Sequence, residues 1–353
     1  MYAGKNAGSV VTLTANPSLD RTVELAGVLV RGAVQRAAGV HEEPGGKGVN
    51  VCRALSASGV PSVAVLPGDN SDPVMQALRT TGIAHRNLPI GAPLRANLTL
   101  TEPDGTTTKV NLPGPELGLP VQESLLALTV DTCGGPDGTL PASWLVLAGS
   151  LPPGVPPDYY AVVAHALRNR FSAASPRLAI DSSGPPLLGA LLHEAMPDLL
   201  KPNGEELAEV TGIATGDELE ANPGLAAAAA QTLIERGVGA VLATLGAKGA
   251  LLVTADGAWL ATRPPVTPRS TVGAGDSSLA GYLLAETAGK APPDCLRQAV
   301  AHGAAAAALP GTTVPSFAET EPEAVTVERL ELHPVPASGT RRGPAPNTPK
   351  ENS

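Results

Sequence analysis

The sequence predicts an α/β protein: a mostly parallel central sheet with helices on both faces, and a small β-sheet laid over it as a lid. Three observations carry this. Strand-like apolar runs and helix-patterned runs alternate from residue 10 to residue 310, the rhythm of β-α-β units. Several strand-like runs empty directly into loops of small or turn-forming residues, at the sheet edge where open α/β sheets bind ligands. One hairpin interrupts the rhythm: residues 95–102 alternate, Pro103-Asp104-Gly105 turns, and 106–112 returns.

Residues 1–9 read as a loose leader, and 10–14 as a buried strand. The strand runs into the turn Asn16-Pro17-Ser18-Leu19-Asp20, so Asp20 lies just past a strand's carboxyl end. Taken alone, Asp20 is as well explained as a turn-stabilising residue. Residues 20–40 are expected to form short strands belonging with the 93–112 hairpin in the lid. Gly45, Gly46 and Gly48 surround Lys47 and lead straight into a helix that ends at Ser58-Gly59. Strand 62–66 and helix 72–81 follow. On the hairpin, Arg95 and Asn97 are two apart and share a face. Helix 119–128 gives way to a loop over 131–141 that contains Cys133. Strand 144–148 then ends in Gly149-Ser150-Leu151-Pro152, helix 158–168 follows, and strand 178–181 ends in Ser182-Ser183-Gly184. Helix 186–195 precedes Leu199-Leu200-Lys201-Pro202-Asn203-Gly204-Glu205-Glu206, where a short strand meets a helix start. After an alanine-rich helix over 222–235, residues 240–253 read as strand, glycine turn and strand, with Thr244, Gly246 and Gly249 at the turn. The last helix spans 296–309. From 319 the chain is rich in Pro, Glu, Ser and Thr, and from 338 it has almost no large apolar residues, so 319–353 is expected to be a disordered tail behind a single domain over 10–318.

Composition narrows the function. Across 353 residues, 24 Lys and Arg face 33 Asp and Glu, a net charge of −9. An acidic chain with 2% aromatic residues offers neither a basic footprint nor stacking platforms, so nucleic acid is not an expected partner. No run reaches membrane-span length, and no signal peptide is read at the start. Cys52, Cys133 and Cys295 are odd in number and widely spaced, and the six histidines show no ligand spacing; a reduced, cytoplasmic protein is expected.

Two glycine loops then stand out as anion sites, because the first amides of a helix lack internal partners and carry the positive end of its dipole. The first is Gly45-Gly46-Lys47-Gly48, where Lys47 can neutralise a phosphate as a point charge and Asn50, one turn on, can bond sugar hydroxyls. The second is Gly273-Ala274-Gly275-Asp276, in which a carboxylate sits at the mouth of an anion site. Asp276 there is either a helix cap or a group that takes a proton from an attacking hydroxyl, and the stretch alone does not separate the two.

In order, the chain carries N-P-x-x-D, G-G-K-G-x-N, R-x-N, G-S-L-P, D-S-S, K-P-N-x-x-E, L-G-x-x-G and T-V-G-A-G-D over residues 10–314. This series resembles the PfkB, or ribokinase-like, carbohydrate kinases, and within them the bacterial 1-phosphofructokinases and tagatose-6-phosphate kinases. The resemblance implies a three-layer α/β/α fold with a β lid. It implies ATP-dependent phosphorylation of fructose 1-phosphate, with tagatose 6-phosphate or fructose 6-phosphate as alternative substrates; a silent sugar-phosphate-binding regulator is a reading of a different class. It assigns Asp20, Gly45, Gly46, Lys47, Asn50, Arg95, Asn97 and Ser150 to the sugar phosphate, and Lys201, Asn203, Glu206, Thr244, Gly246 and Gly249 to ATP. Glu206 would hold Mg²⁺ through water, and a monovalent cation is left open. Gly273, Ala274 and Gly275 become the anion hole and Asp276 the catalytic base. A homodimer through the lid sheet is also expected. Two positions depart from the pattern: Cys52 stands where alanine is expected, and Ser278 where a large apolar residue is usual.

Overall fold

The computed structural model describes residues 9–134, 142–192 and 196–332. The chain opens with β1 (Val10–Leu13) and turns into the lid strands β2 (Ser18–Leu25) and β3 (Ala37–Gly45). Helix α1 (Lys47–Ala57) returns it to the body as β4 (Ser62–Pro67), and α2 (Pro73–Thr80) leads to β5 (His85–Leu88). A second excursion makes lid strands β6 (Arg95–Thr101) and β7 (Thr107–Asn111). Alternation resumes with α3 (Leu119–Cys133), β8 (Trp144–Ala148), α4 (Tyr159–Phe171), β9 (Arg177–Asp181), α5 (Gly184–Ala190) and β10 (Leu199–Leu200). Helices α6 (Gly204–Thr211), α7 (Gly216–Ala221) and α8 (Pro223–Glu235) precede the meander β11 (Ala240–Thr244), β12 (Ala250–Thr254) and β13 (Gly257–Thr262). Finally come α9 (Ala274–Thr287), α10 (Pro292–Ala307) and β14 (Thr326–Leu330).

The main sheet has ten strands in the order β14-β13-β12-β11-β10-β9-β8-β1-β4-β5. From β11 to β5 every pairing is parallel, and the β11–β14 pairings are antiparallel. Its two faces are visible in single strands. Leu145 and Leu147 of β8 belong to one core, with α3, α4 and α8; Trp144, Val146 and Ala148 belong to the other, with α1, α9 and α10. Both faces are therefore buried, as a parallel sheet requires. The lid is a separate four-stranded sheet, β3-β2-β6-β7, with β2 parallel to β6. Helix starts follow local chemistry: Asp72 accepts the Val74 amide ahead of α2, and Asn203 and Glu206 form a reciprocal capping box on α6.

Three expectations change. Cys133 is the last residue of α3 and fully buried, because the helix runs on past Leu128; residues 135–141 lie outside the described residues. The tail does not begin at 319: β14 pairs with β13 across five residues, so backbone hydrogen bonding, to which composition is blind, extends the sheet to Leu330. The lid also reaches further than 20–40, since β2 starts at Ser18 and β3 ends at Gly45. Residues 1–8, 193–195 and 333–353, and with them the leader, the end of the 186–195 helix and the last part of the tail, lie outside the described residues.

Candidate active site

All the parallel strands deliver their carboxyl ends to one edge of the sheet, and the candidate residues gather there. Asp181, the last residue of β9, is fully buried. Lys47 Nζ lies 2.7 Å from its Oδ1, and Lys201 Nζ lies 3.2 Å from its Oδ2. Lys47 Nζ is also 3.6 Å from Glu206 Oε1. Burial alone would lower the Lys47 pKa, but Asp181, Glu206 and Asp276 outweigh it and drive it upward. Burial would likewise raise Asp181, yet Lys201 and Lys47 hold it below the ordinary carboxylate range.

Asp276 sits one turn into α9, whose N-cap is Gly273 in the left-handed conformation at φ 76°, with no side chain capping the helix. Its Oδ2 accepts a hydrogen bond from Asn50 Nδ2 at 2.9 Å. The carboxylate thus faces α1 instead of its own helix amides, so the capping reading fails on geometry. Burial first, and the neighbouring Asp181 second, push its pKa up to about 6; Lys47, Asn50 and Lys201 oppose them. A Cβ placed on Gly275 would lie 3.3 Å from Lys201 Nζ, so that ammonium stands against the Gly273–Gly275 loop. The helix's free amides and a lysine face one small space, an arrangement suited to a multiply charged anion.

Beside this space lies a cleft of about 430 Å³ lined by Asn203, Thr244, Gly246, Gly249, Ala274 and Ser278, among others. Thr244 bridges Asn203, and a side chain on Gly249 would strike the Ala261 carbonyl at 2.0 Å. The unusual Ser278 is explained by its neighbour: a Cβ on Gly303 of α10 would lie 2.1 Å from Ser278 Oγ, so α9 and α10 meet too closely for a large residue. Cys52 is buried with its Sγ 3.4 Å from Ser62 Oγ, a packing contact.

The lid holds the remaining residues. Asp20 Oδ1 accepts from Ser18 Oγ at 2.7 Å and from Asn97 Nδ2 at 2.9 Å. Burial nonetheless leaves its pKa raised, against the pull of Ser18, Asn97, Arg95 and Arg53. A Cβ on Gly45 would sit 2.2 Å from Asp20 Oδ2 and so displace that carboxylate, and Gly46 has φ 108°. Arg95 donates to the Asn16 carbonyl at 3.0 Å and the Leu112 carbonyl at 3.1 Å; its buried Nε has no hydrogen-bond partner. Ser150 Oγ accepts from Asn16 Nδ2 at 3.3 Å.

The structure adds ion-pair partners to the sequence grouping. Lys47 makes its ion pairs with Asp181 and Glu206, among the groups around Asp276. Sequence reasoning assigns no role to Asp181, Asn16 or Ser18. The signals for them were a strand ending in an acid, and the polar residues of the N-P-S-L-D turn.

For a divalent metal, the donor set fits an ion held chiefly by a nucleotide. Glu206 keeps Oε2 on the Asn203 amide at 2.8 Å and turns Oε1 inward, and among the described residues no cluster of three or more His, Cys, Asp or Glu could cage a metal alone. Mg²⁺ is commonly bound through one or two carboxylates, substrate phosphates and water.

A two-layered core on a parallel sheet, a β lid and an anion loop beside a buried carboxylate are suited to a phosphotransferase acting on small molecules. The pfkB family carbohydrate kinase profile matches residues 13–319, and the chain belongs to that family. It is 38% identical over 280 residues to the 1-phosphofructokinase of Xanthomonas campestris, covering 78% of this chain and 83% of that one. It is 34% identical over 339 residues to the ATP-dependent 6-phosphofructokinase isozyme 2 of Mycobacterium tuberculosis, covering 92% and 94%. Phosphofructokinase-2 from Escherichia coli, solved in complex with potassium, superposes with a TM-score of 0.78 at 27% identity over 88% of this chain and 96% of its own. Among the described residues, no helix is long and apolar enough to cross a membrane.

Proposed function

We propose that this kinase transfers the γ-phosphoryl group of ATP to the free primary hydroxyl of fructose 1-phosphate, giving fructose 1,6-bisphosphate and ADP. The observation that carries the transfer chemistry is the Asp276 carboxylate, held by Asn50 at the mouth of the Gly273–Gly275 loop beside Lys201. Asp276 accepts the hydroxyl proton as the sugar oxygen bonds to phosphorus and the bond to the ADP oxygen breaks. The amides of α9, with Lys201 and Lys47, stabilise the charge on the transferring group. Mg²⁺, when bound with ATP, neutralises phosphate charge, and Glu206 and Asn203 are the residues that would hold it through water. Thr244, Gly246 and Gly249 line the nucleotide cleft, and a monovalent cation near the Ser270–Gly273 loop is compatible with the potassium complex of the Escherichia coli relative.

On the sugar side, Asp20, Asn97 and Asn50 bond ring hydroxyls, Gly45 and Gly46 let the backbone approach, and Arg95 and Ser150 meet the phosphate that is not transferred. Likeness to the Xanthomonas 1-phosphofructokinase supports fructose 1-phosphate as that sugar. Likeness to the Mycobacterium 6-phosphofructokinase over most of the chain supports fructose 6-phosphate as the second reading. An ADP-release assay over fructose 1-phosphate, fructose 6-phosphate and tagatose 6-phosphate tests this. The highest kcat/KM is expected for fructose 1-phosphate, and a clear preference for either of the others overturns the assignment.

A further inference from the structure

Helix α1 is buried without a break from Gly48 to Leu55, and one of those eight residues is an arginine. A guanidinium in such a place is costly unless its donors are satisfied. Those of Arg53 reach three elements. Nη1 lies 3.2 Å from the Pro44 carbonyl on β3, 3.3 Å from Asn50 Oδ1 on its own helix and 3.2 Å from the Thr312 carbonyl in the loop after α10. Nη2 meets Glu43 Oε1 at 2.9 Å. Glu43 in turn accepts from the Thr312 amide at 3.1 Å and the Thr312 hydroxyl at 2.6 Å through its second oxygen.

The consequence falls on Asn50. Arginine can only donate, so the half of the Asn50 amide that faces it must be the carbonyl. That leaves the NH₂ for Asp276 Oδ2, at 2.9 Å, and leaves Asp276 Oδ1 for a substrate hydroxyl. Were Arg53 only filling space, an apolar residue of the same size would serve as well or better, since buried ion pairs are often replaceable by packing. An apolar residue would leave the amide held from the Asp276 side alone.

We infer that Arg53 is a positioning residue for the transfer reaction, setting the Asp276 carboxylate through the Asn50 amide and tying that helix to the root of the lid. The inference rests on the reading of Asp276 as the base. The groups facing Asp276 are Lys47 and Asn50 from α1, Asp181 at the end of β9 and Lys201 after β10; those facing Arg53 are Asp20 and Glu43 from β2 and β3. Losing the oriented Asn50 donor removes an interaction that favours the ionised carboxylate, so the acid limb of the rate moves to higher pH.

The experiment uses the full chain with Arg53→Gln and Arg53→Lys, alone and combined with Asn50→Ala, reading kcat, both KM values and the pH dependence of kcat. Arg53→Gln is expected to lower kcat by about tenfold, roughly one net hydrogen bond, with KM for MgATP nearly unchanged and the acid limb moved upward. In the Asn50→Ala background the same substitution should change kcat by less than about twofold, as a residue acting through another requires. A lower melting temperature with kcat and acid limb intact overturns the inference, as does an undiminished effect in the Asn50→Ala background. Should Arg53→Gln fail to fold, Arg53→Lys keeps the charge but loses the fork, and the same two outcomes decide. If Asp276→Asn remains fully active, the reading of the base has failed instead.

Discussion

At the carboxyl edge of the main sheet, Lys47, Asp181, Lys201 and Glu206 make their ion pairs with one another in a largely buried space, whereas two ion pairs on the lid strands lie in solvent. Arg21 meets Glu42, and His41 lies 3.3 Å from Glu24, with all four side chains substantially exposed. The lid strands also lack a buried apolar face: β7 is exposed at every position and β6 is half-buried throughout. The two regions do different work. The body holds charges that are expensive to bury and so have fixed positions, while the lid's polar side chains pair with one another near solvent.

The sharpest test of that contrast is the removal of a charge from each region. Asp181→Ala leaves Lys201 and Lys47 without their shared anion, and breaking a buried pair in this way should cost about 3–5 kcal/mol of unfolding free energy. Arg21→Ala, in the lid, should cost no more than about 1 kcal/mol. Denaturant titrations giving equal losses would erase the distinction.

Arg95 sharpens the comparison from the other side. As an anion clamp on the lid, Arg95→Ala should raise KM for the sugar phosphate about ten- to a hundredfold, the worth of one charged hydrogen bond, and leave KM for MgATP nearly unchanged. An unchanged sugar-phosphate KM would make it a support for the Asn16 and Leu112 carbonyls alone.

How far the sequence could be read follows the same division. Glycine loops and helix starts are local, and the alternation of strands and helices, the hairpin and the Gly273–Asp276 loop could be located without coordinates. What joins distant residues could not. Lys47 meets Asp181 across 134 positions, a pairing that no local pattern announces. Arg53 meets the Thr312 carbonyl across 259 positions, which no local pattern announces either. β14 was hidden by a proline- and glutamate-rich background, because its place in the sheet rests on backbone pairing.

A smaller effect concerns association. Val28, Val30, Val34, Val40 and Val110 are exposed on or between the lid strands, which supports the proposal that two copies join through their lids. Sedimentation at working concentration should then find a dimer that Val40→Glu weakens; a monomer at every concentration removes the proposal.

The central claim is that Asp276 takes the proton in phosphoryl transfer, and Asp276→Asn tests it most directly. The folded carboxyl has its pKa near 6, above the ordinary 3.8, so its proton stabilises the fold at low pH and that contribution is lost as pH rises through 6. At pH 7.5 the ionised group is therefore a burden on stability. The asparagine variant, still able to accept from Asn50, should melt no lower than the parent. Its single-turnover rate with MgATP and fructose 1-phosphate should fall by about 10²–10⁴, the usual worth of a positioned base, while the parent's own rate declines as pH drops through 6. A variant that folds, binds MgATP and transfers phosphate within a few-fold of the parent would contradict the account.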